Sequence, residues 1–231
     1  MRIFVLTGAG VSAESGLPTF RDLGGLWANA DLMKLATPEG FAADPQAVHA
    51  FYNARRARLA EVEPNPAHRA LARLEAGLAA RGGALFLCTQ NVDDLHERAG
   101  SRRVLHMHGR LDRVRCTGCG GSGPAPREVG TGTPCPDCGA VGRLRPDVVW
   151  FGEVPHGLDE IEDALAGCDL FCAIGTSGEV WPAAGFVQAA AARGAHTLEL
   201  NLAPTSGLFA EHRSGPAGVT APAWVNELLG A

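Results

Sequence analysis

A chain of 231 residues, 46% of them apolar, has enough material for one sizeable core or for one core with a small insertion. A formal charge of −5 and a pI near 5.9 exclude a general nucleic-acid binder, and no apolar run approaches the roughly 18–20 residues of a membrane span. The opening apolar run is too short for a secretory signal, and four of the seven cysteines have metal rather than disulfide spacing, so a cytoplasmic protein is expected.

The run Arg2–Thr7 is rich in β-branched and aromatic residues and reads as a buried strand. Gly8, Ala9 and Gly10 follow directly. A strand running into Gly-x-Gly opens dinucleotide-binding folds because glycines let the backbone approach a pyrophosphate; plain turn glycines are the alternative. No third glycine stands in register, and no acidic residue closes a second strand about 20 residues on. Ser12, Glu14, Ser15, Gly16, Pro18, Phe20 and Arg21 come instead, a loop suited to a nucleotide used for chemistry other than hydride transfer. The glycine-containing segment Asp22–Trp27 follows. Asp44 and Pro45 predict a helix start, as N-cap and first helical residue. Val48, Phe51, Tyr52, Leu59 and Val62 share one face of that helix, and so does Arg55, where a charge is not expected. A second helix begins at Asn65-Pro66 and runs to about Leu78. A strand over Ala84–Gln90, a short helix near Asp93–Arg98 and a strand over Val104–His108 continue a doubly wound parallel order.

From Arg115 to Arg143 the texture changes to Gly, Pro, Thr and Ser with almost no apolar periodicity, so no core of its own is expected there. This stretch carries Cys116-Thr-Gly-Cys119 and Cys135-Pro-Asp-Cys138, separated by fifteen residues. Two such pairs predict one zinc ion held by four thiolates, with no position left for water and hence a structural role. Cys88, Cys168 and Cys172 read as buried small hydrophobes. The alternation then resumes with an extended segment at Asp147–Glu153, a helix at Leu158–Ala166 and a strand at Leu170–Ile174 ending in Gly175, Thr176 and Ser177. An alanine-rich helix over Trp181–Arg193, a strand over Thr197–Leu200 ending at Asn201, and a helix over Ala223–Leu229 complete the chain. Small polar residues at strand ends sit where open α/β sheets bind ligands.

Taken together these motifs resemble the sirtuins, NAD-dependent protein deacylases, over essentially the whole chain. Gly8–Arg21 is similar to the family's NAD-binding signature, and Thr89–Asp93 with Leu95-His96 to its second signature. His108-Gly109 is similar to its catalytic histidine. The cysteine pairs, Phe151-Gly152-Glu153, Gly175–Ser177 and Asn201 fall in the family's order. Phe51–Arg56 and Ala36-Thr37-Pro38 resemble the class III branch, which removes acidic acyl groups from lysine and where a small alanine leaves room for a longer acyl chain. Asp22 departs from the pattern, since small residues are common there, and the first strand begins almost at Met1.

The resemblance implies a Rossmann-like α/β fold with a small inserted zinc-ribbon and helical module. Residues 1–26, 65–112 and 146–231 would form the NAD-binding domain, 27–64 the cofactor loop and acyl pocket, and 113–145 the zinc module. It implies that an acyl-lysine carbonyl displaces nicotinamide from NAD, after which a base activates a ribose hydroxyl so that the acyl group moves onto ADP-ribose. Periodicity leaves His106 and His108 equivalent on their strand, and the family match selects His108 as base. Asn91 and Asp93 would orient the ribose and the departing amide. Phe20 would limit water, and Arg21 would support the loop and phosphates. The cofactor set implied is Gly8, Ala9, Gly10, Glu14, Ser15, Phe20, Arg21, Trp27, Gln90, Asn91, Val92, Asp93, Gly175, Thr176, Ser177, Asn201, Leu202, Ala203 and Ala217. Acylated-lysine proteins would meet Ala36, Tyr52, Arg55, Val149, Phe151, Gly152 and Glu153, the peptide adding as a strand along Val148–Glu153. Arg55 would hold an acyl carboxylate together with the Tyr52 phenol, the alternative being an internal Asp or Glu. A monomer is expected, with no direct nucleic-acid or membrane partner. A mono-ADP-ribosyltransferase on the same scaffold and a non-catalytic NAD-sensing module are the competing functions.

Overall fold

The computed structural model describes residues 1–19 and 35–230. Six strands form one parallel sheet: β1 (Arg2–Thr7), β2 (Ala84–Thr89), β3 (Val104–His106), β7 (Leu170–Ile174), β8 (His196–Asn201) and β9 (Glu211–Ser214), in the order β3-β2-β1-β7-β8-β9. Between β7 and β3 in the chain lie three strands of a second, antiparallel sheet, β4 (Gly109–Cys116), β5 (Ser122–Pro124) and β6 (Leu144–Val148), in the order β5-β4-β6. The central strands β1 and β7 are nearly continuous apolar runs because helices cover both their faces.

On one face, α4 (Pro66–Ala80) and α8 (Ala217–Leu229) bring Leu71, Leu74, Trp224 and Val225 onto Ile3, Val5 and Leu198. On the other, α6 (Leu158–Gly167) and α7 (Phe186–Ala191) bring Ile161, Leu165, Phe186 and Val187 onto Phe4 and Phe171. From β1 the chain moves to one side of the sheet, and β7 to β9 build out on the other. Thr7 pairs with both Thr89 and Ile174, so the carboxyl ends of three strands meet at this reversal, where such folds bind nucleotides.

A third apolar cluster lies beside the sheet. Here α3 (Pro45–Leu59) places Val48, Tyr52 and Leu59 with Ala36, Leu111, Val148 and Trp150. The expected caps are present: the Asp44 side chain accepts from the Ala47 N–H, and Asn65 closes a capping box with His68 at the start of α4.

Several elements differ from expectation. The cysteine-rich stretch has a small core after all, built from Val114, Cys116, Val129, Cys135 and Leu144, two of them from the cysteine set itself. Short strands with no clean alternation leave no periodic signal, which is why the pattern missed it. The strand through His108 ends at His106, and Gly109 opens β4, because a Cβ at Gly109 would stand 2.1 Å from the Asp147 carbonyl oxygen at a φ of +79°. The alanine-rich helix shortens to a 3-10 turn at Ala183–Gly185 followed by α7. The last helix starts six residues early, at Ala217, and carries Pro222 inside it; Ala217 and Ala221 are buried in the apolar cluster on the sheet. The segment expected to stay extended to Glu153 turns at Trp150–Glu153 instead. There the Glu153 N–H returns to the Trp150 carbonyl, and the Glu153 carboxylate accepts the Trp150 N–H.

Candidate active site and metal centre

Parallel strands deliver Thr7, Thr89, Ile174 and Asn201 to one edge of the sheet. The turn after β1 lies directly on the turn after β7: the Gly8 N–H donates to the Ile174 carbonyl at 3.0 Å and the Gly10 N–H to the Gly175 carbonyl at 2.9 Å. A Cβ on Gly10 would sit 2.8 Å from the Gly175 Cα. Gly8 and Gly10 are therefore required by this chain's own backbone, besides anything they leave open to a phosphate. Asn201 Nδ2 donates to the Thr176 carbonyl at 2.7 Å, joining the ends of β7 and β8. Ser177 Oγ accepts the Glu179 N–H at 3.3 Å, and Leu202 and Ala203 are exposed beside Asn201. The Glu14 carboxylate accepts the Gly218 N–H at 2.6 Å, which places Glu14 at the start of α8 next to Ala217.

Behind α1 (Ala9–Ser12) lies a buried polar cluster. Ser12 Oγ donates to Asp93 Oδ2 at 2.9 Å and accepts from Asn91 Nδ2 at 3.1 Å, and the same Nδ2 donates to the Gly8 carbonyl at 3.1 Å. With both amide hydrogens held, Asn91 keeps Oδ1 as an acceptor. Asp93 Oδ1 takes the Leu95 N–H at 3.2 Å, and burial raises the Asp93 pKa against the help of its Ser12 hydrogen bond. The Asn65 N–H donates to His68 Nδ1 at 3.3 Å, so the His68 proton is on Nε2, which faces Ser12 Oγ at 3.4 Å. Asn65 Nδ2 donates to the Val11 carbonyl at 2.8 Å and to Ser15 Oγ at 3.0 Å, tying α4 to the nucleotide loop. Burial, with the Arg69 charge nearby, pulls the His68 pKa down to about 4. His96 lies with its ring centroid 4.8 Å from that of His68, its Nε2 on Thr7 Oγ1 at 3.0 Å, and burial holds its pKa well below the ordinary histidine value.

The geometry separates the two histidines that periodicity could not. His106 has both ring nitrogens against acceptors, Nδ1 on the Asn91 carbonyl at 3.1 Å and Nε2 on Glu97 Oε1 at 2.8 Å. His108 has Nδ1 on the Gln90 carbonyl at 3.1 Å, and its Nε2 has no protein partner among the described residues. A carbonyl can only accept, so the His108 Nδ1 carries the proton and Nε2 is the basic atom of the neutral ring. Burial lowers the His108 pKa, partly offset by the Gln90 hydrogen bond. The two histidines thus grip consecutive carbonyls of the Gln90-Asn91 turn. Val92 continues that turn, its carbonyl accepting the Leu111 N–H at 2.8 Å.

The residues expected to line an acyl pocket also converge. Val149 N–H donates to the His108 carbonyl at 2.9 Å and Phe151 N–H to the buried Ala36 at 3.0 Å. Tyr52 is buried, and its hydroxyl lies 2.9 Å from Trp150 Nε1. Arg55 stands over the Phe51 ring at 5.3 Å, and burial lowers its pKa. Gly152 takes a φ of +86° in the turn. The Glu153 carboxylate binds Arg145 and the Trp150 N–H, so it closes this turn from within. Phe20, Arg21 and Trp27 lie outside the described residues. Ser12 and His96 fell inside the signatures read from sequence but were given no role there, and Asn65, His68 and Trp150 were not singled out as site residues. The Asn65-Pro-Ala-His68 capping box was the available signal for two of them.

The four cysteine sulfurs lie within 4.8 Å of one another. Cys116 and Cys138 Sγ are 3.8 Å apart, as are Cys119 and Cys135 Sγ. Tetrahedral zinc with bonds of about 2.3 Å requires sulfurs about 3.8 Å apart, and the Gly118 N–H points at Cys116 Sγ at 3.4 Å, as a thiolate ligand would be supported. The residues fit one structural zinc ion.

A doubly wound parallel sheet, glycine turns at its reversal point and a four-cysteine side module define a nucleotide-binding enzyme scaffold carrying a structural metal. A Sir2 family profile matches residues 8–182, and the chain belongs to the Sir2 family. It is 59% identical over 231 residues to an NAD-dependent protein deacylase of Caulobacter vibrioides, covering 99% of this chain and 97% of that one. A protein of the same description from Escherichia coli is 53% identical over 235 residues, covering 99% and 82%. Among solved structures, a Sir2 homologue in complex with NAD superposes with a TM-score of 0.86 at 40% identity, covering 99% and 90% of the two chains. Another, Sir2 bound to acetylated peptide, gives a TM-score of 0.79 at 25% identity, covering 99% and 93%.

Proposed function

We propose that this Sir2-family chain is an NAD-dependent protein-lysine deacylase that passes an acetyl, succinyl or malonyl group from lysine to ADP-ribose with release of nicotinamide. The observation that carries the reading is His108: a ring oriented by the Gln90 carbonyl, with a basic Nε2 unpaired among the described residues, one turn from a fully tethered Asn91. NAD, when bound, supplies the electrophilic ribose carbon and the hydroxyl that accepts the acyl group. His108 Nε2 removes the proton from that hydroxyl, and the lowered pKa keeps the ring neutral for the task. Asn91 offers Oδ1 to the ribose side because Ser12 and Gly8 hold its amide hydrogens. Asp93, braced by Ser12 and the Leu95 N–H, would orient the departing amide. Gly8, Ala9, Gly10, Thr176 and Ser177 bound the phosphate path, and Asn201, Leu202, Ala203, Glu14 and Ala217 the adenosine end.

The NAD-binding domain comprises 1–26, 65–112 and 146–231, with the acyl pocket in 27–64 and the zinc module in 113–145. Substrates are acylated-lysine proteins lying between module and sheet, and the enzyme works in the cytoplasm as a monomer. Arg55 and Tyr52 together select acidic acyl groups. Acetyl-, malonyl- and succinyl-lysine peptides, each with and without NAD, test this by mass spectrometry of the products. The expected products are O-acyl-ADP-ribose and free lysine; a protein gaining ADP-ribose would instead make the enzyme a transferase. A charge-assisted hydrogen bond contributes about 1.5–3 kcal/mol, so Arg55→Met should raise KM for succinyl-lysine roughly 10–150-fold and leave acetyl-lysine nearly unchanged. Equal loss on both substrates would remove the acidic-acyl selectivity.

A further inference from the structure

Tyr52 is the chain's only tyrosine, 3% exposed, and its hydroxyl meets Trp150 Nε1 at 2.9 Å. An indole N–H can only donate, so the phenol oxygen accepts and the phenol proton is left for another group. Trp150 is itself held on several sides. The Arg145 guanidinium lies 3.4 Å above its ring centroid, its backbone N–H donates to Glu153 Oε2 at 2.8 Å, and the Phe41 ring stands 5.4 Å away. Arg145 is 4% exposed, with Nη1 and Nη2 on the two Glu153 oxygens at 2.6 and 2.9 Å and Nη2 also on the Val148 carbonyl at 2.8 Å. A cation stacked on an indole and forked onto a carboxylate leaves the ring little freedom to turn.

We infer that Trp150 is a positioning residue for acyl-group selectivity: it fills the acceptor side of the Tyr52 hydroxyl and commits the phenol proton to the anionic end of an acyl group beside Arg55. The inference rests on the acidic-acyl reading above and identifies what aims Tyr52. A phenol free to rotate could give its proton to a protein carbonyl, and would then present only lone pairs to a carboxylate. Burial raises the Tyr52 pKa, so the proton is there to be given. The brace also crosses the site. Glu153, which closes the turn after β6, holds the arginine that holds the tryptophan, so the acyl pocket's donor is fixed from the segment assigned to the peptide.

Trp150→Phe keeps an aromatic ring beneath Arg145 and removes the N–H. Its kcat/KM on a succinyl-lysine peptide should fall about fivefold, mainly through KM, the factor that a neutral hydrogen bond of about 1 kcal/mol is worth. The acetyl-lysine peptide should lose less, so that the ratio of succinyl- to acetyl-lysine kcat/KM falls. In a Tyr52→Phe background the Trp150→Phe change should cost nothing further on succinyl-lysine. In the unmutated enzyme, carbon-13 at the tyrosine Cζ gives a single NMR signal, which should move on adding succinyl-lysine peptide and not acetyl-lysine peptide. Equal loss on both peptides, an undiminished loss in the Tyr52→Phe background, or an unmoved Cζ signal overturns the inference. If Tyr52→Phe leaves succinyl-lysine turnover unchanged, the acidic-acyl reading fails and takes this inference with it. A large Tyr52→Phe effect with none from Trp150→Phe sinks this inference alone.

Discussion

The carboxyl edge of the parallel sheet and the cysteine module solve the same problem, holding an irregular backbone still, by different means. At the sheet edge the turns are fixed by backbone packed on backbone at Gly10 and Gly175, and by polar side chains that satisfy one another around Ser12. Two large apolar clusters stand behind them. The module has only a small cluster, and two of its five fully buried residues are cysteines of the metal set. Apolar area is what stabilises the first region, and metal–sulfur bonds must stabilise the second. The proposed site, which needs atoms placed to a fraction of an ångström, sits on the first.

The sharpest way to break this contrast is to remove the metal. Chelation, or Cys116→Ser, should release one zinc ion per chain and open the module. Structural zinc binds its peptides with about 10–16 kcal/mol, far more than so small a core contributes. Hydrogen exchange should rise across 109–148 while the amides of β1, β2 and β7 stay protected. A variant keeping full zinc content and stability would end the structural assignment.

The next effect falls on the sheet edge and should leave folding alone. His108→Ala should lower kcat about 10²–10⁴-fold with NAD binding still measurable, because it removes the base and only one brace, the hydrogen bond to the Gln90 carbonyl. His106→Ala should instead lower the melting temperature, since it strips partners from Glu97 and from the Asn91 carbonyl. An active His108→Ala beside a dead but stable His106→Ala would reverse the two roles.

The smallest effect tests the buried polar cluster. The folded His68 has a pKa of about 4, below the value of about 6.5 in an unfolded chain, so the unfolded state takes up its proton first. Stability therefore falls as pH drops from about 6.5 towards 4, by about 3 kcal/mol from this residue. Urea unfolding across that range should show the slope; a flat profile would mean that His68 is not held neutral.

Much of this molecule was legible in the chain itself. Paired Cys-x-x-Cys motifs announce a metal because the ligand chemistry is local, two residues to a knuckle. Asp44-Pro45 and Asn65-Pro66 announce helix starts because caps are local too, and β1, β2 and β7 stand out because doubly buried strands carry continuous apolar runs. The three-stranded sheet, the short β9 and the early start of α8 were illegible. Their stability comes from partners far along the chain, with no period of their own. The resemblance named His108, Asn91 and Asp93 together with Gly8 and Gln90, whose carbonyls hold Asn91 and His108, and passed over Asn65 and His68 behind Ser12.

Composition, cap residues and cysteine spacing determined by themselves that this is a doubly wound α/β chain with a small metal module, and the apolar face of α3 already turned Arg55 inward. Periodicity left His106 and His108 equivalent and only the family resemblance chose between them; tertiary structure alone shows how they differ, because that depends on which carbonyl or carboxylate each ring nitrogen meets. It alone also brought Trp150 to Tyr52 across 98 residues of sequence. Hydrogen-bond polarity is a property of pairs, and pairs this distant in the chain leave no mark on the spacing of either partner.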